Sequence, residues 1–491
     1  MKPVVRLDLH NRSPLLSHIM KFSTFSSIAE IAAGLRAKEF SAGELLSAHF
    51  EQIRRLQPKL NAFTHLNESS AIAQANSADE EANARDSAPP GPLHGVPLTI
   101  KSCIDVAQWP CPAGSLLRKT YRPSSDAPIV RRLKSAGAIL LGNTNTPENL
   151  MAYETDNALQ GKTSNPWNLA KSAGGSSGGE AAAIAAGCSA GGIGSDGGGS
   201  IRVPAHFCGI CGLKPTPGAI PATGHFPSGD GAFPWLGAVG PMARTVADVR
   251  ILFEILRGPD PSDALSAPLA AHSLNKINPR SIRIGVLESD ALGPCTEEIS
   301  AAIRKSADHL QSQGFRVEKF HLPELTRALE LWWFFFGATI AHLFRKSLTA
   351  RDEPLLSPQF REYLSAATGP QPPTLDEFLA SATERDRLRA KILHRMADVP
   401  ILLSPVSSAP AFAHGEGTWF GPAGYRETMR ASQWLNLTGF PAISVPATFS
   451  SDGLPIGVQL IARPHEEFLL LDVAASFEQA RGPWPEPPLL D

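Results

Sequence analysis

Residues Ser172–Pro204 read SAGGSSGGEAAAIAAGCSAGGIGSDGGGSIRVP. Two serine-bearing glycine clusters, Gly174–Gly179 and Gly197–Ser200, flank an alanine-rich segment. Ordered glycine costs conformational entropy. Two clusters so close in sequence imply that backbone approaches something closely, twice, near one point in space. The run from Glu180 to about Ala186, stopped by Gly187, reads as a helix whose small side chains let both loops pack against it. In the first cluster, Gly174-Gly175-Ser176-Ser177-Gly178 satisfies G-x-S-x-G, the elbow in which a histidine activates a serine nucleophile. The same pattern also arises in a flexible turn before a helix. In the second, Gly197, Gly198 and Gly199 have no side chains to shield their N–H groups, so a rigid turn can aim amides at one oxygen, as an oxyanion hole requires. A phosphate cradle is the rival use of such amides, but no lysine follows the last glycine as a Walker loop demands.

Working outward, short apolar strands alternate with helices. Val96–Lys101 reads as a buried strand, Pro128–Gly137 as a helix ending at glycine, and Ala138–Thr144 as the next strand. Further helices are expected at Thr245–Arg257, Thr296–Gln313 and Glu467–Arg481. Further strands are expected at Ile282–Glu288, Phe315–Leu322, Ile401–Ser404, Ala442–Pro446 and Ile456–Ala462. Such alternation marks a layered α/β fold. Ser27 with Glu30, and Ser41 with Glu44, fit the capping box that opens a helix. The stretch from about 78 to 92 is polar and Pro-rich, and reads as a surface loop. Asp260–Arg280 reads as a linker or long loop. Neither an internal repeat nor a low-complexity tract is visible, which favours one domain around one large sheet.

The bulk numbers bound the function. The 491 residues are 43% hydrophobic and carry Lys+Arg 45 against Asp+Glu 47, a net charge of −2. No basic block points to nucleic acid. Six cysteines are too few for a disulfide scaffold, and a reducing, cytoplasmic setting is expected. Residues 1 to about 20 are broken by charge and read as a loose arm rather than a signal peptide. The longest apolar run, Leu331–Phe344 (LWWFFFGATIAHLF), is short of the roughly 20 residues a membrane span needs. It reads as a buried or cleft-lining helix, the alternative being a patch that leans on a membrane or a greasy substrate.

A serine hydroxyl at neutral pH needs a base. There are 14 histidines, but none lies in either cluster, and the nearest in sequence is His206. Lys101 instead closes an apolar strand at the edge of the core. Burial disfavours its charged form and lowers its pKa, which makes the neutral amine a competent base.

Lys101 after its strand, GGSSGG, DGGGSIR with VPAHFCGICGLKPT behind it, GPMARTVADVRIL (Gly240–Leu252), NLTGFPAISVP (Asn436–Pro446) and DGLPIGVQLIARP (Asp452–Pro464) together resemble the amidase signature family. The resemblance covers most of the chain from about residue 25 to 481. It implies an α/β/α sandwich around a large mixed, mostly parallel sheet. The single domain would run from 21 to 491, with core at 90–260 and 282–485 and an aromatic substrate wall at about 325–440. It implies a Ser-Ser-Lys triad: Ser200 as nucleophile, Ser176 as bridging serine on a cis peptide, and Lys101 as general base. The Gly197, Gly198 and Gly199 amides would form the oxyanion hole. The reaction implied is hydrolysis of a carboxamide through an acyl-enzyme, with no metal or organic cofactor.

Ser177, Asp196 and Arg202 are expected to hold the loops in shape rather than touch substrate. Cys208-Gly-Ile-Cys211 is read as a pair of buried structural thiols, since no second C-x-x-C follows to complete a zinc site. Two departures from the family stand out: Ser102, where an acidic residue is usual, and Gly197, where a hydrophobic or hydroxyl residue is usual. The aromatic groups of Leu331–Phe344 and Thr418–Leu435 point to apolar or aryl amides, with esters and carbamates as further candidates. The expected partner is a small-molecule amide substrate, with no nucleic acid and no firm membrane anchor, and the chain is expected to be a monomer or homodimer. Two alternatives remain: the A subunit of a glutamyl-tRNA amidotransferase, and an elbow-type esterase using Ser176, a histidine and an aspartate.

Overall fold

The computed structural model describes residues 22–84, 91–228, 235–268, 278–287, 292–369, 371–421 and 423–488. The expected N-terminal arm lies outside them. Both capping boxes form. Ser27 and Ser41 each accept an amide three residues on, while Glu30 and Glu44 reach back to the cap amide. The helix Glu68–Ala84 carries regular structure into the stretch expected to be a loop. Its alanines at 71, 75 and 78 are buried, so an apolar spacing of four and then three residues, the helical repeat, outweighed the polar composition.

Thirteen strands are described: β1 Phe63–Leu66, β2 Pro97–Lys101, β3 Ile139–Thr144, β4 Ser164–Asn165, β5 Asn168–Ser172, β6 Gly191–Asp196, β7 Cys211–Lys214, β8 Ala238–Ala243, β9 Arg283–Leu287, β10 Arg316–Phe320, β11 Ile401–Pro405, β12 Ala442–Phe449 and β13 Pro455–Ala462. Eleven form one mixed sheet in the order β1-β3-β2-β6-β8-β7-β12-β13-β11-β9-β10, and β4 pairs with β5. Parallel pairing occupies the two flanks, β3-β2-β6 and β11-β9-β10. Between them the strands from β6 to β11 run antiparallel to their neighbours.

The sheet is covered on both faces. Along β11, β12 and β13 consecutive side chains enter different cores. Leu403, Ile443 and Leu460 join one hydrophobic cluster, and Leu402, Ala442 and Ile461 join the other. Strand pleating requires this alternation. The first cluster packs the alanine-rich helix and the C-terminal helix Glu467–Arg481 against the sheet. The second gathers the aromatic residues of 325–440 together with Tyr153. The run Leu331–Phe344 is helical throughout but widens to a π-helical turn at Trp333–Thr339, between the helices Leu325–Trp332 and Ile340–Ser347. Among the described residues no helix is long and apolar enough to cross a membrane.

Candidate active site

The two glycine clusters meet at the ends of adjacent parallel strands. Lys101 is the last residue of β2 and Asp196 the last of β6. The residues between the clusters form the helix Gly178–Ala185 and then β6. β6 reads GGIGSD, too poor in branched and aromatic residues to announce a strand. It needs bare backbone, because a Cβ at Gly194 would lie 2.9 Å from Ser177 Oγ and 2.8 Å from Met242 Sδ.

Lys101 is fully buried. Its Nζ lies 2.7 Å from Ser176 Oγ and 3.2 Å from Ser195 Oγ. Burial pushes its pKa down to about 8, against the partial pull of Cys103, Asp196 and Glu180. Nothing in the sequence singles out Glu180. It is buried on the alanine-rich helix, where its carboxyl accepts the hydroxyls of Thr99 and Thr144. Burial raises its pKa to about 7, opposed by those two hydroxyls and by Lys101. Ser102, the departure from the family pattern, keeps a buried hydroxyl without a partner among the described residues. The carboxylates acting on Lys101 are thus Asp196 and Glu180.

Ser176 follows a cis peptide bond, Gly175–Ser176. Ser177 stitches the two serine loops together. Its amide donates to Ser200 O at 3.1 Å, and its hydroxyl donates to Ser195 O at 3.3 Å. Ser200 is 9% exposed, whereas Lys101, Ser176 and Ser177 are all at 0%. Ser200 is therefore the member of this group that solvent, and hence a ligand, can reach.

Asp196 and Arg202 form a buried bidentate pair, Nε to Oδ2 and Nη2 to Oδ1, both at 3.0 Å. Burial alone would raise the Asp196 pKa, but the guanidinium outweighs it and holds the carboxylate well below its usual range. Arg202 also donates to Gln459 Oε1, Ser432 O and Asn436 Oδ1. Asp196 in turn accepts the amides of Gly199 at 2.7 Å and Ile201 at 3.1 Å.

The Gly199 amide is therefore committed to a carboxylate and does not face a ligand, contrary to the expectation for that residue. The amides of Gly197, Gly198 and Ser200 have no acceptor among the described residues. Two aromatic side chains hold this loop from outside. Trp332 Nε1 donates to Gly197 O at 3.1 Å, and Tyr153 Oη donates to Gly198 O at 2.6 Å. Tyr153 carries no signal in the sequence, and Trp332 stands out there only as part of an aromatic run.

Among the described residues no histidine replaces the lysine as partner of Ser176. His206 accepts the Gly457 amide on Nδ1 at 2.7 Å and faces Ala409 O with Nε2. Burial lowers its pKa to about 4, against that carbonyl's pull. Cys208 and Cys211 are buried and turn to different neighbours, Ala173 O and Arg244 O.

The Amidase family model matches residues 44–471. The chain is 34% identical over 479 residues to the A subunit of the glutamyl-tRNA(Gln) amidotransferase of Carboxydothermus hydrogenoformans, covering 93% of this chain and 97% of that one. It is 33% identical over 475 residues to an indoleacetamide hydrolase of Bradyrhizobium diazoefficiens, covering 93% of this chain and 86% of that one. Among solved structures, 6-aminohexanoate cyclic dimer hydrolase superposes with a TM-score of 0.85 at 30% identity, covering 96% of this chain and 100% of that one. The chain belongs to the Amidase family. It is an amidase signature hydrolase, an enzyme that cleaves amide C–N bonds.

Proposed function

We propose that the chain hydrolyses carboxamides through an acyl-enzyme on Ser200, with protons relayed through Ser176 to Lys101. The supporting observation is the 2.7 Å contact between the buried Lys101 Nζ and Ser176 Oγ, with the Ser200 carbonyl held 3.1 Å from the amide of the next residue, Ser177; the Ser176 and Ser200 hydroxyls are not hydrogen bonded to each other in this structure. Ser200 Oγ attacks the carbonyl carbon. Its proton passes to Ser176 as the Ser176 proton passes to the neutral Lys101 amine. The tetrahedral oxyanion is met by backbone amides of the glycine loop. Collapse breaks the C–N bond, and the proton returns through Ser176 to the departing amine. Water then hydrolyses the Ser200 ester with the same relay acting as base. Ser177, Asp196 and Arg202 keep both loops in register.

The substrates proposed are apolar or aryl amides. Trp332 and Phe336 stack at 4.5 Å, Trp333 lies 5.3 Å from Trp419, and Tyr153 lies 5.2 Å from Tyr425. These rings continue from the side chains that touch the glycine loop. Separate Ser200→Ala and Lys101→Ala variants test the chemistry. Each is expected to lose roughly a thousandfold or more in kcat/KM on an anilide, and retention of most turnover by both would overturn the relay. A panel graded from acetamide to aryl and long-chain amides, with matching esters and carbamates, tests the substrate class. Comparable kcat/KM on acetamide and an aryl anilide counts against it.

The amidotransferase relatives supply a second reading, in which the chain supplies ammonia inside a complex. Co-purification with partner subunits, and glutaminase activity that depends on them, would favour it over the stand-alone enzyme.

A further inference from the structure

The peptide planes of the nucleophile loop can be followed one by one. In a trans peptide the carbonyl of one residue and the amide of the next point in opposite directions. Fixing a carbonyl therefore aims the following N–H. The Asp196 carbonyl accepts Asn436 Nδ2 at 2.8 Å, which aims the Gly197 amide the other way. The Gly197 carbonyl accepts Trp332 Nε1, which aims the Gly198 amide. The Gly198 carbonyl accepts Tyr153 Oη, and the amide of the same peptide donates to Asp196 Oδ1, so that plane is clamped at both ends. The Gly199 carbonyl accepts the Val203 amide at 2.7 Å, which aims the Ser200 amide.

Two of these anchors, Trp332 and Tyr153, belong to the buried aromatic cluster. Trp332 is fully buried and stacks on Phe336, while Tyr153 lies edge-on to Tyr425 and 6.0 Å from Trp419. The loop is pressed against both. A Cβ at Gly198 would lie 2.5 Å from Trp332 Cζ2 and 2.7 Å from Tyr153 Oη.

We propose that Trp332 is a positioning residue for the reaction, because its hydrogen bond to the Gly197 carbonyl sets the direction of the Gly198 amide that receives the oxyanion, and that Tyr153 is a second one, because with Asp196 it clamps the adjoining Gly198–Gly199 peptide and so fixes the loop between the Gly198 and Ser200 amides. The proposal rests on the reading of Ser200 as nucleophile. It assigns the proposed aromatic wall a second role: two of its side chains also hold the loop whose amides stabilise the transition state. A ligand that shifts the rings then shifts the amides with them.

The test uses Trp332→Phe and Tyr153→Phe, which remove one donor each and keep an aromatic ring. Steady-state kinetics on an anilide and the affinity for an arylboronic acid, which forms a tetrahedral adduct on a serine, are measured alongside thermal unfolding. Misaiming one oxyanion donor costs rate rather than ground-state binding. Each variant is expected to lower kcat about tenfold to a hundredfold, with KM within about threefold of the parent. Boronate affinity is expected to fall in step with kcat. If both variants fold and keep kcat within about twofold, or if KM alone rises, the proposal is overturned and the rings serve only as a wall. Ser200→Ala separates the two readings. If it still turns over the anilide, the nucleophile assignment fails; if it is inactive while both aromatic variants match the parent, only the present proposal fails.

Discussion

Lys101 and Arg202 are both basic side chains with no exposure to water, and they meet that condition in opposite ways. Arg202 is paired with Asp196 and hydrogen bonded to three further residues. Lys101 hydrogen bonds to serine oxygens and to no carboxylate, so burial lowers its pKa from 10.5 to about 8. In the proposed relay the working form is the neutral amine. As pH falls through that value Lys101 becomes charged, and kcat/KM is expected to drop about tenfold per pH unit below it. A pH profile on a non-ionising amide checks this, and a rate that rises toward pH 5 contradicts it. The same shift makes Lys101 a stabilising group only on the alkaline side. Between about 8 and 10.5 the unfolded chain holds a proton that the folded chain does not, so this contribution to stability rises with pH. For Arg202 the expectation concerns folding. Arg202→Met strands the buried Asp196 carboxylate, which costs about 3–5 kcal/mol. Equilibrium denaturation measures it, and a loss under about 1 kcal/mol would mean that water takes the guanidinium's place.

At the scale of the element, the glycine loop is shaped by what leans on it. Gly198 lies against Trp332 and Tyr153 with no room for a methyl group. Gly198→Ala is expected to cost about 1–3 kcal/mol of stability, as overpacking typically does, and roughly a hundredfold in kcat, as misplaced catalytic geometry does. A variant with parental kcat would show that the loop does not need this close approach. The helices around the site were largely legible. Serine and threonine caps, glycine stops and apolar spacing place Val246–Leu256, Glu297–Ser312 and Glu467–Arg481 within a residue or two. β6 was not legible, although it lies inside the stretch that carries the chemistry. A strand that opens GGIG has neither alternation nor a run of branched side chains, and it exists because β2 and β8 pair with it on either side.

Across the whole molecule, the active site joins the two halves of the chain. Arg202 and Asp196 bond to Asn436, and Arg202 bonds to Gln459, across 234 to 257 residues of sequence. β7 pairs with β12 in the middle of the same sheet. The two hydrophobic clusters are faces of shared strands rather than cores of separate bodies. Calorimetry is expected to give one cooperative transition, and Arg202→Met should lower it as a whole; two resolved transitions would indicate independent domains.

The sequence by itself determined the layered α/β class and the family, and it singled out Lys101, Ser176, Ser200 and the Asp196–Arg202 pair as candidates. Those follow from local rules: glycine where backbone must come close, a lysine ending an apolar strand, caps where helices begin. Only the tertiary structure decided that Gly199 gives its amide to Asp196, that Glu180 accepts the hydroxyls of Thr99 and Thr144, and that Trp332 and Tyr153 bond to the carbonyls of Gly197 and Gly198. The last two are contacts between residues far apart in the chain, and the first depends on how the loop is folded around Arg202. Neither periodicity nor spacing encodes which donor reaches which oxygen.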